Sequence, residues 1–230
     1  MNDEIESLHL RPIRTFVVRA GRMKPAQHRT IETLLPRYGI AVSPNVLDVN
    51  AAFGRVAPLT IEIGFGMGVP TVEIAAAAPE KNFIGIEVHP PGVANLLRLL
   101  DEQQLSNVRV MNDDAVEILK TMIAPASVDA IHIYFPDPWH KARHHKRRMI
   151  QPAFTALLAS RLKPGGYLHL ATDWEHYAHW MLEVLSAEPA LKNTCVGFCE
   201  TKPAWRPTTK FETRGINLGH GVWDLLFTRT

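Results

Sequence analysis

The feature that most constrains this chain is a glycine-rich segment, Glu62-Ile63-Gly64-Phe65-Gly66-Met67-Gly68, directly after the apolar run of residues 58–61. Glycines at alternate positions let the backbone turn tightly and approach a ligand closely, because no Cβ intervenes. Residues 69–78 are predicted to form a helix whose N-terminus points at the same place. A strand, a glycine-rich turn and a helix in this order are typical of nucleotide-like ligand sites in parallel α/β sheets.

The spacing of the glycines indicates which ligand this turn receives. The dinucleotide fingerprint is G-x-G-x-x-G, whereas here the third glycine comes one residue early. Glu62 also places a negative charge beside the turn, which repels a pyrophosphate but suits a ligand with a positive end. S-adenosylmethionine has no phosphate and carries an ammonium and a sulfonium, so we expect it as the cofactor, lying against Gly64, Gly66 and Gly68.

Strands and helices alternate through the rest of the chain. Five strands are predicted at 59–63, 82–87, 107–111, 130–135 and 167–171, and two further strands at 194–199 and 221–228. Helices are predicted between the first five strands and at 174–187, which indicates one α/β domain with a parallel sheet and right-handed crossovers. We expect an N-terminal basic arm, partly flexible, at residues 1–55, and the α/β domain at 56–230.

An acid stands at the end of every one of the first five predicted strands: Glu62, Glu87, Asp113 or Asp114, Asp137 and Asp173. The carboxyl ends of parallel strands meet at one edge of a sheet, where ligands bind. The commoner role of an acid at such a junction is to cap a helix, and Asp113 or Asp114 before Ala115 fits that role well. Their coincidence on one edge favours a ligand: Glu62 for the methionine ammonium, Glu87 for the ribose hydroxyls and Asp114 for the adenine amine.

Asp137 lies in the segment Phe135-Pro136-Asp137-Pro138-Trp139, after the fourth predicted strand. The flanking prolines stiffen the backbone and fix the direction of the carboxylate. Trp139 offers a face on which a planar base could stack. The segment is similar to the Asp/Asn-Pro-Pro-aromatic motif with which many amine-directed methyltransferases hold a base. The alternative is a rigid turn with a buried tryptophan.

The distribution of charge is more informative than the net charge of +2. One basic segment, residues 11–29, is nearly free of acids. A second basic cluster comprises Lys141, Arg143, Lys146, Arg147 and Arg148, interleaved with His140, His144 and His145. This separation predicts a basic face for a polyanion around an acidic pocket for a cation. The alternative is that these charge runs are solvated surface.

Several classes of protein and site are disfavoured. A hydrophobic content of 46% is typical of a globular core. No apolar run is long enough to span a membrane, and the acidic N-terminus lacks a signal core, so we expect a cytoplasmic protein with no membrane partner. Cys195 and Cys199 are expected to be reduced thiols. His176 and His179 lie three apart on a predicted helix, but no third ligand is evident nearby, so no metal is expected.

Several segments together resemble the bacterial tRNA (guanine-N7-)-methyltransferases, from about Arg14 to the end of the chain. They are residues 62–68, Gly85-Ile86-Glu87-Val88-His89, Phe135-Pro136-Asp137-Pro138-Trp139-His140-Lys141 with Lys146-Arg147-Arg148, Ala171-Thr172-Asp173-Trp174, and residues 209–215. The PDPWHK run followed by RR is far more specific than the glycine-rich turn, which many methyltransferases share.

The resemblance implies a Rossmann-like class I S-adenosylmethionine-dependent methyltransferase fold, with a mostly parallel seven-stranded sheet and an antiparallel last strand. It implies tRNA as the partner and methylation of N7 of guanine 46 in the variable loop, by a monomer or homodimer. In the family, residues matching Glu62, Glu87, Asp114 and Asp137 bind the cofactor, and the Asp137 match is also catalytic. Residues matching Lys141, Asp173, Thr209, Lys210, Phe211 and Glu212 bind substrate, and those matching Arg143, His144, His145, Lys146, Arg147 and Arg148 contact RNA.

Three rival interpretations are open. A methyltransferase of the same fold could act on a small amine or on another base, although the basic clusters disfavour a small acceptor. A nicotinamide dehydrogenase is disfavoured by Glu62 and by the glycine spacing. A tRNA-binding protein without catalysis is disfavoured by the acids at every strand end. Either Asp137 or Asp173 could contact the guanine.

Overall fold

The computed structural model describes residues 23–208, 212–213 and 221–230. The α-helices in these ranges are α1 Pro25–Tyr38, α2 Val49–Phe53, α3 Val69–Ala77, α4 Pro90–Glu102, α5 Ala115–Thr121, α6 Pro152–Arg161 and α7 Glu175–Ser186. The strands are β1 Leu59–Ile63, β2 Asn82–Ile86, β3 Val108–Met111, β4 Val128–Tyr134, β5 Leu162–Thr172, β6 Leu191–Asn193 and β7 Trp223–Arg229. A 3₁₀ helix, Ala142–Arg147, lies between β4 and α6.

The described strands form one sheet in the order β3-β2-β1-β4-β5-β7-β6. Strands β1 to β5 pair in parallel, and β7 pairs antiparallel with both β5 and β6. This confirms the predicted mostly parallel seven-stranded sheet with an antiparallel last strand. The strand order reverses between β1 and β4, and the crevice at such a switch point is where ligands bind in open α/β sheets.

Two apolar cores lie on opposite faces of the sheet, because side chains alternate along each strand. One core joins Ile61, Ile84 and Ile131 to the buried sides of α5, α6 and α7. The other joins Phe83 and Val108 to α3 and α4. Burial on both faces explains why the predicted strands are continuous apolar runs rather than alternating ones.

Helix α1 lies within residues 1–55, the segment predicted as an arm, and it packs against α4. Arg37 forms an ion pair of 2.9 Å with Asp101, and Tyr38 is 1% exposed. Gly39 forms an isolated parallel bridge with Val110 of β3. The segment 1–55, predicted as a partly flexible basic arm, thus contains the helix α1, which begins at Pro25. The arginines of the predicted arm before residue 23 lie outside the described residues.

Three local predictions were wrong. The strand expected at 194–199 is instead β6 at Leu191–Asn193, followed by a short loop in which Cys195 and Cys199 are joined as a disulfide, not free thiols. Gly197 in this loop has φ +77°, which a strand does not accommodate. The fifth strand, predicted at 167–171, instead begins at Leu162 as β5. None of the helices in the described ranges is both long and apolar enough to cross a membrane.

Candidate active site

A cavity of about 940 Å³ lies at the carboxyl ends of β1 to β4, at the switch point of the sheet. Its wall contains several of the predicted site residues: Gly64, Glu87, Asp114, Asp137, Lys141 and His144. Strands whose ends converge on one edge have therefore brought together residues as far apart in sequence as Gly64 and His144. Asp113 also lines the cavity, and so do Tyr134 and Met149, which the sequence did not predict.

The glycine-rich turn faces open space. Gly64, Gly66 and Gly68 have φ values of +74°, +57° and +72°, in a region that residues other than glycine rarely adopt. A Cβ built on Gly64 or Gly66 would meet nothing within 4 Å. A Cβ on Gly92 of α4 would lie 2.1 Å from the Gly66 carbonyl oxygen. The turn is therefore pressed against α4 on one side and leaves a cradle on the other.

Glu87 ties this turn to the start of α4. Its Oε2 accepts the Gly66 backbone N–H at 2.9 Å, and its Oε1 accepts those of Val88 and His89 at 2.8 and 2.9 Å. Each carboxylate oxygen has two lone pairs, so a residue that lines the cavity in this way can still accept hydrogen bonds from a ligand. Glu87 thus organises the loop as well as facing the cavity.

Asp114 performs the capping role that the sequence allowed for it. Its Oδ1 accepts the Val116 N–H at 2.9 Å and caps α5, while Asp113 Oδ1 accepts the Asp114 N–H at 2.7 Å. Capping engages Oδ1, and Asp114 still forms part of the cavity wall. The capping and ligand interpretations of this acid are therefore compatible.

Glu62 is buried, with 6% of its surface exposed, and is not part of the cavity wall, although its neighbours Ile63 and Gly64 are. Burial raises its pKa to about 7, and the negative charge of Glu87 adds to this shift. The Thr71 hydroxyl, which lies nearby without meeting hydrogen-bond geometry, opposes it. Because burial disfavours the ionised form of Glu62, a cation beside this side chain would stabilise its carboxylate and would itself be bound favourably.

These features fit S-adenosylmethionine. The cradle over Gly64 and Gly66 is open where a Cβ would intrude, and the acids around it suit a ligand that carries positive charge and hydroxyl donors. Glu62, Glu87 and Asp114 are the residues that would hold its ammonium, ribose and adenine groups.

The segment Phe135–Trp139 has a strained backbone around an exposed Asp137. Phe135 and Trp139 have φ values of +52° and +46°, although neither is glycine. Each such residue costs about 1–3 kcal/mol and persists only where its surroundings enforce it. The guanidinium carbon of Arg147 lies 5.1 Å from the centroid of the Trp139 ring, and the His144 ring meets that ring edge-on. Base stacking on Trp139 stays a prediction.

A buried polar network covers the sheet beside this segment, on the face of β4, β5 and β7. His169 is fully buried, and its Nδ1 accepts the Trp205 indole N–H at 3.1 Å. Because indole only donates, Nδ1 carries no proton, so Nε2–H donates to Asp224 at 2.8 Å and Tyr134 Oη–H donates to Nδ1 at 3.0 Å. Burial lowers the pKa of His169, which keeps it neutral.

Arg206 joins two carboxylates within this network and is 1% exposed. It donates to Asp224 at 2.7 and 2.8 Å and to Glu212 at 2.7 and 3.1 Å. Burial disfavours its charge, but the hydrogen bonds to Glu212 and Asp224 outweigh burial and raise its pKa. Glu212, predicted to bind substrate, is 5% exposed and is held by the two hydrogen bonds from Arg206. Thr209, Lys210 and Phe211 lie outside the described residues.

The basic cluster divides by exposure. Arg143 and Lys146 are exposed, and His144, His145 and Arg147 are half-buried, whereas the side chain of Arg148 is 1% exposed. Asp173 is half-buried after β5 and is not part of the cavity wall. The part of the chain that the structure describes contains no group of three or more His, Cys, Asp or Glu residues suited to a metal ion.

Sequence reasoning missed the buried network. His169 and Tyr167 interrupt an otherwise apolar strand, a signal that could have marked a polar face of the sheet. Arg206 carries no comparable signal, because an isolated arginine in a polar segment is expected at the surface.

Comparison with known proteins adds to this geometry. The family model described as "Putative methyltransferase" matches residues 56–225. The tRNA (guanine-N(7)-)-methyltransferase of Paraburkholderia xenovorans is 60% identical over 224 residues, covering 97% of this chain and 86% of the relative.

Two solved structures share the fold at low identity. The 16S rRNA methyltransferase KamB has a TM-score of 0.58 and 13% identity, covering 84% of this chain and 99% of its own. A 16S rRNA adenine-N1 methyltransferase from Catenulisporales acidiphilia, determined with its cosubstrate S-adenosylmethionine, has a TM-score of 0.56 and 14% identity, covering 83% and 93%. At such identities the likeness is one of fold.

Proposed function

Because the chain belongs to the tRNA (guanine-N7-)-methyltransferase family, we propose that it transfers a methyl group from S-adenosylmethionine to N7 of guanine 46 in the variable loop of tRNA. The observation that carries this proposal is the identity of 60% to a relative of that name across nearly the whole chain. The cavity at the switch point supports it, since its acids and open glycine turn suit the cofactor.

The cofactor supplies an electrophilic methyl group on a positively charged sulfur. Glu62 would pair with its ammonium, Glu87 would accept from its ribose hydroxyls, and Asp114 would accept from its adenine amine. The turn at Gly64 and Gly66 would lie against it, since neither position has a Cβ in the way. These contacts would bind and orient the cofactor in the cavity that Asp137 also lines.

The acceptor atom needs no general base. Guanine N7 carries a lone pair and no proton, so it could accept the methyl group that the cofactor would supply without first losing a proton. Positioning then supplies most of the rate acceleration. Methylation of N7 would place positive charge on the guanine imidazole ring, where a nearby carboxylate of this chain would stabilise it.

Asp137 is the carboxylate best placed for this role. It is exposed in the cavity wall between two prolines, close to the other cofactor-site acids. By accepting hydrogen bonds from guanine N1–H and N2–H, it would orient the ring and enrich electron density at N7. Lys141, also in the wall, is available for a neighbouring phosphate. Asp173 is a further candidate for substrate binding, set back from the cavity.

The exposed cations beside the cavity would hold the tRNA backbone. Arg143 and Lys146 lie on the 3₁₀ helix that follows Asp137 and are open to solvent. Phosphate contacts release counterions, so tRNA binding should weaken steeply with salt.

The test is methyl transfer from labelled S-adenosylmethionine to unmodified tRNA transcripts, with the modified base mapped. We expect N7-methylguanosine at a single variable-loop guanine, and its loss in Asp137→Ala. Asp137→Asn should lower turnover more than cofactor affinity, because the amide keeps the shape of the side chain but not its charge.

Two results would contradict the proposed reaction, and a third would change the role assigned to Asp137. Methylation of another atom or base would keep the fold and cofactor but overturn the assigned acceptor. Cofactor binding without transfer to any tRNA would point to a different acceptor. An equal loss of turnover and cofactor affinity in Asp137→Asn would make Asp137 mainly a cofactor ligand.

A further inference from the structure

Arg148 differs from the rest of the basic cluster to which it belongs in sequence. Arg143 and Lys146 are exposed, but Arg148 is 1% exposed and ranks among the largest fully buried side chains. A guanidinium enclosed in this way is not presented to a phosphate. The resemblance that assigns residues 143–148 to RNA contact therefore does not describe what this arginine does in the fold.

The contacts of Arg148 run inward, to the loop that carries Asp137. Its Nε donates to the Pro138 carbonyl oxygen at 2.9 Å. Its Nη2 donates to His176 Nδ1 of α7 at 3.1 Å, and its guanidinium carbon lies 4.8 Å from the centroid of the Tyr177 ring. Arg148 thus joins the carbonyl one residue after Asp137 to the first turn of α7.

The loop needs such an attachment because its backbone is strained. Trp139, directly after Pro138, has φ +46°, and Phe135 has φ +52°. Left-handed conformations of this kind persist only where the surroundings hold them. A fixed Pro138 carbonyl sets the peptide plane between Pro138 and Trp139. This peptide plane and the two prolines that flank Asp137 together set the direction in which the Asp137 carboxylate points.

The burial of Arg148 is unfavourable for stability alone. Its Nη1 is buried without a hydrogen-bond partner among the described residues, and its hydrogen bonds go to a backbone carbonyl and an imidazole rather than to a carboxylate. Replacing a buried charge by a well-packed apolar side chain is often neutral or stabilising. The cost of burying Arg148 is consistent with a demand of the active site rather than of the core.

We propose that Arg148 is a positioning residue for Asp137, acting through the Pro138 carbonyl, and that it does not contact RNA. The inference rests on the proposed function for the meaning of Asp137, but not for the geometry of the loop. It separates the predicted RNA-contacting segment into exposed cations that meet phosphate and one buried cation that shapes the reaction centre.

The test compares Arg148→Met, Arg148→Lys and the matched control Arg143→Met, whose arginine is exposed nearby on the 3₁₀ helix. For each variant we would measure the single-turnover rate, tRNA affinity against salt, and amide hydrogen exchange at Trp139 and His140 in cofactor-free protein. Arg148→Met should fold with an unchanged or higher melting temperature. Its transfer rate should fall at least tenfold while tRNA affinity and salt slope stay unchanged, and Trp139 and His140 should exchange faster.

The other variants give opposite patterns. Arg148→Lys keeps one donor for Pro138, so it should recover part of the rate and of the exchange protection. Arg143→Met should keep the exchange protection of Trp139 and His140, but its tRNA affinity should fall and its salt slope should drop by about one contact. A salt slope in Arg148→Met reduced as in Arg143→Met would overturn the proposal, and so would an unchanged rate and exchange pattern.

Failure of the proposed function would look different. The wild-type protein would then methylate no tRNA guanine, yet the exchange of Trp139 and His140 would still respond to Arg148 and not to Arg143. If Arg148→Met fails to fold, Arg148→Lys decides: wild-type exchange together with a lowered tRNA affinity would sink the positioning role.

Discussion

The two halves of the active-site edge are held in place by different means. At the ends of β1 to β3 the turn is shaped by glycines and tied by short-range contacts, such as Glu87 to the amides of Val88 and His89. Beyond β4 the segments are held by buried arginines, with Arg206 binding Asp224 and Glu212. The difference is one between a turn shaped by backbone geometry and segments held by the hydrogen bonds of buried arginines.

Under the proposed function, this difference follows from what each half has to bind. A small cofactor of fixed shape can be received by a rigid turn with no side chains in the way. A large RNA substrate needs segments that arrive from distant parts of the chain. Charge-assisted, bidentate hydrogen bonds set both distance and orientation, so they are suited to fixing such segments.

The largest effect is expected where a buried pair is broken. Arg206→Met leaves the Asp224 and Glu212 carboxylates buried without their common partner, which should lower the free energy of unfolding by about 3–5 kcal/mol. Urea denaturation measures this loss. Cofactor affinity of the folded fraction should be unchanged, because the cofactor half does not depend on this pair.

The control for Arg206 is Arg98→Met, which removes an exposed ion pair with Glu102 on α4. Its cost should be under about 1 kcal/mol. Equal losses in the two variants would contradict the division between the halves.

Glu62 gives the cofactor half its own pH dependence. Its pKa rises from 4.5 to about 7 on folding, and at about 1.4 kcal/mol per unit this amounts to about 3 kcal/mol. Because the folded pKa is raised, the stability is fully present below pH 4.5 and is lost as the pH rises to about 7 in cofactor-free protein. Glu62→Gln should remove that loss and raise stability at neutral pH.

Denaturation across this pH range checks the prediction, with the exposed acid Glu117→Gln as the control. If the free energy of unfolding depends on pH in the same way in wild type and in Glu62→Gln, Glu62 does not titrate as predicted. Glu62→Gln should also bind S-adenosylmethionine more weakly, since the amide cannot neutralise an ammonium.

A smaller effect is expected at Gly92, where an added Cβ would collide with the Gly66 carbonyl. Overpacking of this kind costs about 1–3 kcal/mol. We therefore expect Gly92→Ala to lower the cofactor affinity about tenfold and to retain the tRNA affinity. Gly165→Ala is the control, because Gly165 has φ +79° but open space around it. Calorimetric titration that finds equal cofactor affinity in both variants would refute the close approach of α4 to the turn.

The smallest effect concerns one hydrogen bond of the network. Trp205→Phe removes the N–H that donates to His169 Nδ1, which should cost about 0.5–1.5 kcal/mol. Urea denaturation and the imidazole nitrogen shifts of His169 are the measurements. A loss of unfolding free energy as large as that of Arg206→Met would mean that Trp205 contributes to holding the segment as strongly as the arginine does.

The cofactor half was predictable because its signals are local. The glycine spacing at residues 64–68 and the acids Glu87 and Asp114 stand beside strand ends that apolar runs mark clearly. Parallel strands then bring these positions to one edge by topology alone. Even so, the sequence did not distinguish the two roles of Glu87, since its bond to Gly66 spans 21 residues.

The other half was not predictable because its partners are distant and its residue types misleading. His169 and Asp224 lie 55 residues apart, and Arg148 and His176 lie 28 apart. Arg148 and Arg206 are both buried, whereas arginine is mostly exposed in proteins. The error at residues 194–199 has the same origin, since the pairing of β6 with β7 is settled across the sheet.

The shared guanidinium of Arg206 also constrains how the chain can change over evolutionary time. Any one of Arg206, Glu212 and Asp224 is costly to replace alone, because the others are left buried and charged, whereas joint replacement by apolar residues need not be. Substitutions at the three positions are therefore epistatic. Relatives should keep the trio or lose it as a set, so positions 206, 212 and 224 are expected to covary.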